Sequence, residues 1–268
     1  MTPPPALETD RTVDGKIVYA VGDIHGRYDL LRQMLGLIVE DYGTQARGRR
    51  LTLILCGDYI DRGPESADVL EALVWLTRRP EFHVRLLKGN HEQGLLDFLD
   101  RPEDGGPWLR YGGTRTLASY RIDPPAPDAK AAKLVKARDA LLDRMPASHL
   151  HLLGALELSV TIGDYLFVHA GIRPGVALAD QAEDDLLWIR DEFLEKDMRH
   201  DHFVIHGHSW IDDQPSIRPH RIGIDTGAYA TGVLTAVRLE DGSATILRAA
   251  GTPDPAADDR HGAEAAEG

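Results

Sequence analysis

The chain has 268 residues, 43% of them hydrophobic, and a formal net charge of −13. That length suits one α/β domain with an insertion, and that apolar share builds a core without covalent staples. The acidic balance argues against nucleic acid and anionic membrane as partners, since both repel it. The single cysteine, Cys56, lies in an apolar run and reads as a small buried hydrophobe, so a reducing compartment is expected. No apolar run approaches 18 residues, and the opening MTPPPALETD lacks a basic and apolar leader. A cytoplasmic protein is expected.

Residues 1–14 are Pro-rich and polar and read as a flexible arm. Ile17 to Val21 is a short apolar strand running into GDIHGRYD. Tyr28 to Asp41 places Leu30, Leu31, Met34, Leu35, Ile38 and Val39 at helical spacing. Leu51 to Cys56 is a buried strand followed by GDYIDRGP, where a glycine lets the chain turn sharply. Ser66 to Arg79 is a helix with an apolar stripe, and Phe82 to Leu87 is a strand ending in KGNHE. This is strand–helix–strand–helix–strand, with a polar motif at each strand's carboxyl end, the edge where open parallel sheets bind ligands.

The composition changes after Leu99. Residues 101–150 hold Pro-rich joins around a Lys/Ala-rich helix, Ala129 to Asp143, and read as an inserted helical cap. Leu156 to Ile162 and Tyr165 to Val168 form a hairpin across Gly163-Asp164, and the second strand ends in HAG. Asp180 to Leu194 is expected as one helix carrying LLWIR. Phe203 to Ile205 ends in HGHS and Ile222 to Ile224 leads to DTGAY. Val233 to Leu239 and Ala244 to Leu247 make a closing hairpin, which leaves 251–268 as a disordered acidic tail and 15–250 as the folded domain.

Six polar positions sit at strand ends: Asp23, His25, Asp58, Asn90, His169 and a histidine of HGHS. Oxygen and imidazole donors suit manganese, iron or zinc rather than calcium. They are too many for one ion with an open position and enough for two, with Asp58 as the natural bridge. Two such ions can share a water and lower its pKa toward neutrality. Two cations against Asp23, Asp58 and a hydroxide leave a net positive spot, so an anionic substrate is expected. His91 is placed to protonate a leaving oxygen, with Asp61 orienting the imidazole. Arg62 and a second arginine can grip phosphate oxygens. Period 2 points His206 and His208 the same way, so spacing does not choose between them. Trp75 and Trp188 are expected in the core.

GDIHG (22–26), GDYIDRG (57–63), GNHE (89–92), HAG (169–171) and GHS (207–209) resemble the signature blocks of the phosphoprotein phosphatase family of Ser/Thr phosphatases, in its compact bacterial and phage branch. The resemblance runs from about Val18 to Tyr229. It implies a calcineurin-like metallophosphoesterase fold, α/β (α+β by some schemes), a β-sandwich flanked by helices. It implies two divalent ions, manganese first and iron or zinc as alternatives. Asp23, His25 and Asp58 would hold one, and Asp58, Asn90, His169 and His208 the other. It implies His91 as acid with Asp61, Arg62 and Arg190 on the phosphate, and Tyr229 at the rim. The expected reaction is in-line attack of a bridging hydroxide on phosphoserine or phosphothreonine of a protein or peptide. The alternative is a dinucleoside tetraphosphate hydrolase on the same scaffold; that sister group tends to lose the aspartate kept here as Asp61 and to carry GNHD.

Overall fold

The computed structural model describes residues 6–45, 48–196 and 200–253. Two mixed sheets lie face to face. The first holds β1 (Ala6–Glu8), β2 (Ile17–Val21), β3 (Leu51–Leu55), β4 (Phe82–Leu86), β10 (Val233–Glu240) and β11 (Ser243–Ala250), in the order β1-β11-β10-β2-β3-β4. The second holds β5 (Ser159–Ile162), β6 (Tyr165–Val168), β7 (Phe203–His206), β8 (Ser216–Arg218) and β9 (Arg221–Gly223), in the order β5-β6-β7-β9-β8.

Side-chain alternation builds the layers. Val18, Ala20, Ile54, Tyr165, Phe167, Ile205 and Ile222 point into the space between the sheets. The alternate residues Ile17, Tyr19, Val21, Leu53 and Leu55 face helices α1 (Tyr28–Gln45) and α2 (Ser66–Thr77) on one outer side. Leu166, Val168 and Val204 face Leu186, Ile189 and Phe193 on the other. The result is a helix–sheet–sheet–helix sandwich, as the sequence blocks imply.

Within each sheet three strands run parallel: β2, β3 and β4 in the first, and β6, β7 and β9 in the second. Their registers align Val21 with Leu55 and Leu55 with Leu86, and likewise Val168 with His206 and His206 with Gly223. Asp23, Asp58 and Asn90 therefore leave the first sheet at one level, and His169, His208 and Asp225 leave the second.

Several expectations change. The described part of the arm is anchored rather than loose: β1 forms the sheet's edge against β11, Val13 is fully buried, and Asp241 accepts the Val13 amide at 2.7 Å. Residues 1–5 and the tail beyond 253 lie outside the described residues. Asp180–Leu194 is not one helix. It breaks into Glu183–Trp188 and Asp191–Leu194, because Ile189 is extended and Arg190 leaves the helical region (φ −128°, ψ −97°). The hairpin strand starts at Ser159, since Glu157 bridges to Leu87 instead. The inserted helical segment 101–150 packs closely on the domain: Trp108, Leu117, Leu134, Leu141 and Met145 share the core of the first sheet's helical side. Trp75 and Trp188 are each 50% exposed, not core. Trp75 carries the Arg79 guanidinium 3.9 Å above its ring, and Trp188 stands edge-on to His208 with centroids 6.4 Å apart.

Candidate metal and phosphate site

The loops after the six parallel strands meet in one open cavity of about 400 Å³, its solvent-filled mouth included. Its wall includes His25, Asp58, Asn90, His91 and His208, with Arg62 and Arg190 at its sides. Tight backbone geometry brings them there. Of the seven non-glycine residues with left-handed φ among the described residues, five are His25, Asp58, Asp61, Arg62 and His208. Such conformations persist where surrounding contacts over-determine them and cluster at functional sites. The glycines of the motifs are close-approach positions. A Cβ on Gly89 would lie 2.1 Å from Asp58 Oδ1, and one on Gly207 would lie 2.0 Å from Asp23 Oδ1.

Glu92 seats the central loop. It is fully buried on α3 (Asn90–Asp100), and its carboxylate accepts the amides of Asp58 at 2.8 Å, Tyr59 at 2.8 Å and Gly89 at 2.9 Å. The sequence marks this residue only as the last letter of GNHE.

Asp58 is common to two groupings. His25, Asp58 and His91 present ligand atoms within 4.8 Å of one another, and so do Asp58, His169 and His208. Asp58 Oδ2 lies 3.5 Å from His25 Nε2, and Oδ1 lies 3.5 Å from His169 Nε2. One carboxylate thus faces both sides of the cavity. The expected first trio was Asp23, His25 and Asp58; His25 and Asp58 come together in the first grouping, with His91 beside them. Asp23 stands adjacent, with Oδ2 accepting the His208 amide at 3.0 Å and Oδ1 buried without a partner. Asn90 Oδ1 lies 2.9 Å from His169 Nε2 and 3.1 Å from His208 Nδ1, which brings it beside the second grouping.

The donor set fits divalent cations. His25 Nδ1 donates to Ile60 O at 2.9 Å and His169 Nδ1 to Cys56 O at 2.8 Å, since a carbonyl only accepts. Each ring therefore turns a lone pair on Nε2 toward the cavity. At His169 that lone pair meets the oxygens of Asn90 at 2.9 Å and Asp58 at 3.5 Å. Burial and the nearby Asp225 and Asp58 charges push Asp23 well above the carboxylate range. Burial likewise raises Asp58, and the Asp225 and Asp61 charges add to it. Burial holds His25, His169 and His208 below the ordinary imidazole value, in the neutral form that ligates metal.

Beside this cluster, His91 Nδ1 lies 2.7 Å from Asp61 Oδ2. Arg62 Nη2 lies 3.3 Å from His91 Nε2, and Arg62 Nη1 donates to the Tyr229 hydroxyl. Arg190 Nε donates to His208 Nε2 at 3.1 Å. The break after Trp188 aims Arg190 inward.

His208 is the site histidine of the HGHS segment. His206 ends β7 against Phe193, ring centroids 5.2 Å apart, and burial lowers its pKa to about 4. Asp225 was missed. It lines the cavity and is buried, and burial raises its carboxyl to about 6. Its strand-end position, shared with the other cavity residues, was the available signal.

Imidazoles, carboxylates and an amide facing paired guanidiniums, at the carboxyl edge of twin sheets, define a class: metal-dependent phosphoesterases. Residues 17–226 match the family model for calcineurin-like phosphoesterase. The chain is 30% identical over 234 residues to serine/threonine-protein phosphatase 2 of Escherichia coli K12, covering 83% of this chain and 93% of that one. It is 29% identical over 283 residues to the symmetrical bis(5'-nucleosyl)-tetraphosphatase of Neisseria gonorrhoeae, covering 88% and 97%. Among solved structures, a protein serine/threonine phosphatase from Saccharomyces cerevisiae superposes with a TM-score of 0.54 at 17% identity, covering 90% and 82%. The chain belongs to the calcineurin-like phosphoesterase family, and its blocks are those of the phosphoprotein phosphatases. No helix among the described residues is long and apolar enough to cross a membrane.

Proposed function

We propose that this phosphoesterase removes phosphate from phosphoserine and phosphothreonine in proteins, with manganese as the first candidate for both ions. Asp23, His25 and Asp58 would hold one, and Asp58, Asn90, His169 and His208 the other. When bound, the ions supply Lewis acidity and lower the pKa of the attacking water. The chain does the rest. Arg62 and Arg190 face the cavity from two sides and hold phosphoryl oxygens, offsetting charge that develops in the transition state. A phosphate that takes the Arg62 guanidinium frees His91 Nε2 to carry a proton. His91 then gives that proton to the departing oxygen, while Asp61 holds the ring through Nδ1.

The observation that carries the reading is the 2.7 Å contact between His91 and a buried Asp61. A serine or threonine alkoxide is a poor leaving group and needs a proton; a nucleotide phosphate leaves readily without one. A dedicated, dry acid pair therefore favours alkyl phosphomonoesters. The second reading, a dinucleoside tetraphosphate hydrolase, is favoured by the similarity to the Neisseria enzyme. A panel of phosphoserine peptide, p-nitrophenyl phosphate and diadenosine tetraphosphate tests the choice. The expected order of kcat/KM puts the phosphopeptide well above the dinucleotide, and the reverse order overturns the proposal.

A further inference from the structure

Asp61 owes its place to residues that lie outside every signature block. We infer that Trp108 and Thr116, in the inserted segment, are positioning residues that hold the Asp61 carboxylate against His91, so that the insertion carries part of the general-acid apparatus. The inference rests on reading His91 as the acid.

The geometry is specific. Trp108 Nε1 donates to Asp61 Oδ2 at 2.8 Å, the oxygen that also receives His91 Nδ1. Thr116 Oγ1 donates to Oδ1 at 2.5 Å and accepts the Asp61 amide at 2.9 Å, gripping both ends of one residue. Asp61 has a left-handed backbone (φ 69°), a conformation that needs such bracing. The carboxylate and Thr116 are fully buried, so water cannot replace either donor.

The indole sits in a slot made for it. A Cβ on Gly94 would lie 3.0 Å from Trp108 Cδ1, and one on Gly113 would lie 2.5 Å from Cδ2. Phe98 packs on its ring at 4.7 Å. Gly94 and Phe98 belong to α3, the helix that begins with Asn90 and His91. Trp108 thus joins the helix bearing the imidazole to the carboxylate that orients it. Apolar packing alone would be met by phenylalanine; only indole also brings a lone N–H onto the carboxylate. The same segment reaches the phosphate side, where Gly112 (φ 119°) brings its backbone against Arg62.

The test uses the full, manganese-loaded chain. Trp108→Phe keeps a ring in the slot and removes the donor. Thr116→Val keeps the shape and removes the hydroxyl, and Thr116→Ser restores it. W108F and T116V are expected to lower kcat on a phosphoserine peptide about tenfold, the worth of one hydrogen bond to a charged group. KM should stay within about twofold, kcat on p-nitrophenyl phosphate should fall less than about threefold, and T116S should match the wild type. Equal losses on both substrates, no loss, or T116S as slow as T116V would overturn the inference. A wild type inactive on both substrates would remove the phosphomonoesterase reading instead. A measurement on the metal-free wild type stands apart from activity. The indole proton that W108F abolishes should exchange slowly; exchange as fast as that of the half-exposed Trp75 and Trp188 would also overturn the inference.

Discussion

Glu92→Gln isolates the residue that seats the central loop. Three buried amides, Asp58, Tyr59 and Gly89, end on its carboxylate within 2.9 Å, and that of Ile60 approaches at 3.4 Å. Burial pushes this carboxyl up to about 8, and the backbone donors pull it down. Donors occupy both oxygens, which leaves no room for a proton, so the carboxylate is the form that seats the loop. Glutamine keeps one acceptor and turns an NH₂ toward the amides at the other. Two buried N–H groups lose their acceptor, at roughly 1–3 kcal/mol each, or roughly 2–6 kcal/mol together. That is a large share of a total stability of about 5–15 kcal/mol. Taking about 4 kcal/mol, and about 2–4 °C per kcal/mol for a domain of this size, the melting temperature falls by about 8–16 °C. Calorimetry of the metal-free protein reads this directly. A manganese titration should show weakened binding, since the released amides belong to the loop that carries Asp58 or to the turn packed on it. A shift of only about 1 °C with unchanged metal affinity would mean that glutamine is an adequate isostere, and the carboxylate argument would fail.

Three further outcomes follow from the same geometry. Asp58→Asn should lose metal as well as activity, because both oxygens face histidine ligands; full occupancy of two ions, measured by elemental analysis, would remove Asp58 from the bridging position. His91→Ala should cut kcat about a hundredfold or more on phosphoserine peptide and far less on p-nitrophenyl phosphate, and equal losses would take the acid role from His91. In the metal-free protein, stability should fall as pH rises above about 7.5, a unit past the ordinary imidazole value. There the lowered imidazoles are neutral in folded and unfolded states alike, while burial raises the Asp23 and Asp58 carboxyls in the fold alone, so the fold holds their protons more tightly than the unfolded chain does. Each retained proton contributes up to about 1.4 kcal/mol per pH unit, and saturating manganese should flatten the slope. Melting curves at about pH 7.5 to 9, with chelator and with manganese, check it.

What the sequence made legible was whatever local pattern controls. Alternating apolar residues place Ile17–Val21 and Leu51–Leu55 as strands, and a polar motif after each marks the ligand edge. The limits have physical causes. Period 2 assumes that the strand continues, but β7 stops at His206 and Gly207 lets His208 take a left-handed φ of 63°, so the two imidazoles part. The apolar run through Leu186, Leu187 and Ile189 is compatible with one helix, yet Ile189 and Arg190 leave it and the guanidinium reaches the cavity. Trp108 and Thr116 are invisible as site residues because their partner, Asp61, is some 50 positions away. Asp225 looks like a turn residue until β9 is seen to end level with β6 and β7.

The division of ligands between the sheets gives the site its character. Asp23, His25, Asp58 and Asn90 come from loops of the first sheet; His169, His208 and Asp225 come from the second. Neither sheet alone brings together the acceptors that a pair of cations needs. The two halves meet only when the inter-sheet core of Val18, Ile54, Phe167 and Ile205, all apolar, closes. Hydrophobic burial therefore does the electrostatic work of forcing carboxylates and imidazoles together against their repulsion. Bound cations would return part of that energy, since any ligand that binds only the closed sandwich stabilises it. Metal affinity and the stability of the sheet interface are then two readings of one equilibrium, and a cavity cut at Phe167 or Ile205 should weaken manganese binding from beneath the site, with no ligand touched.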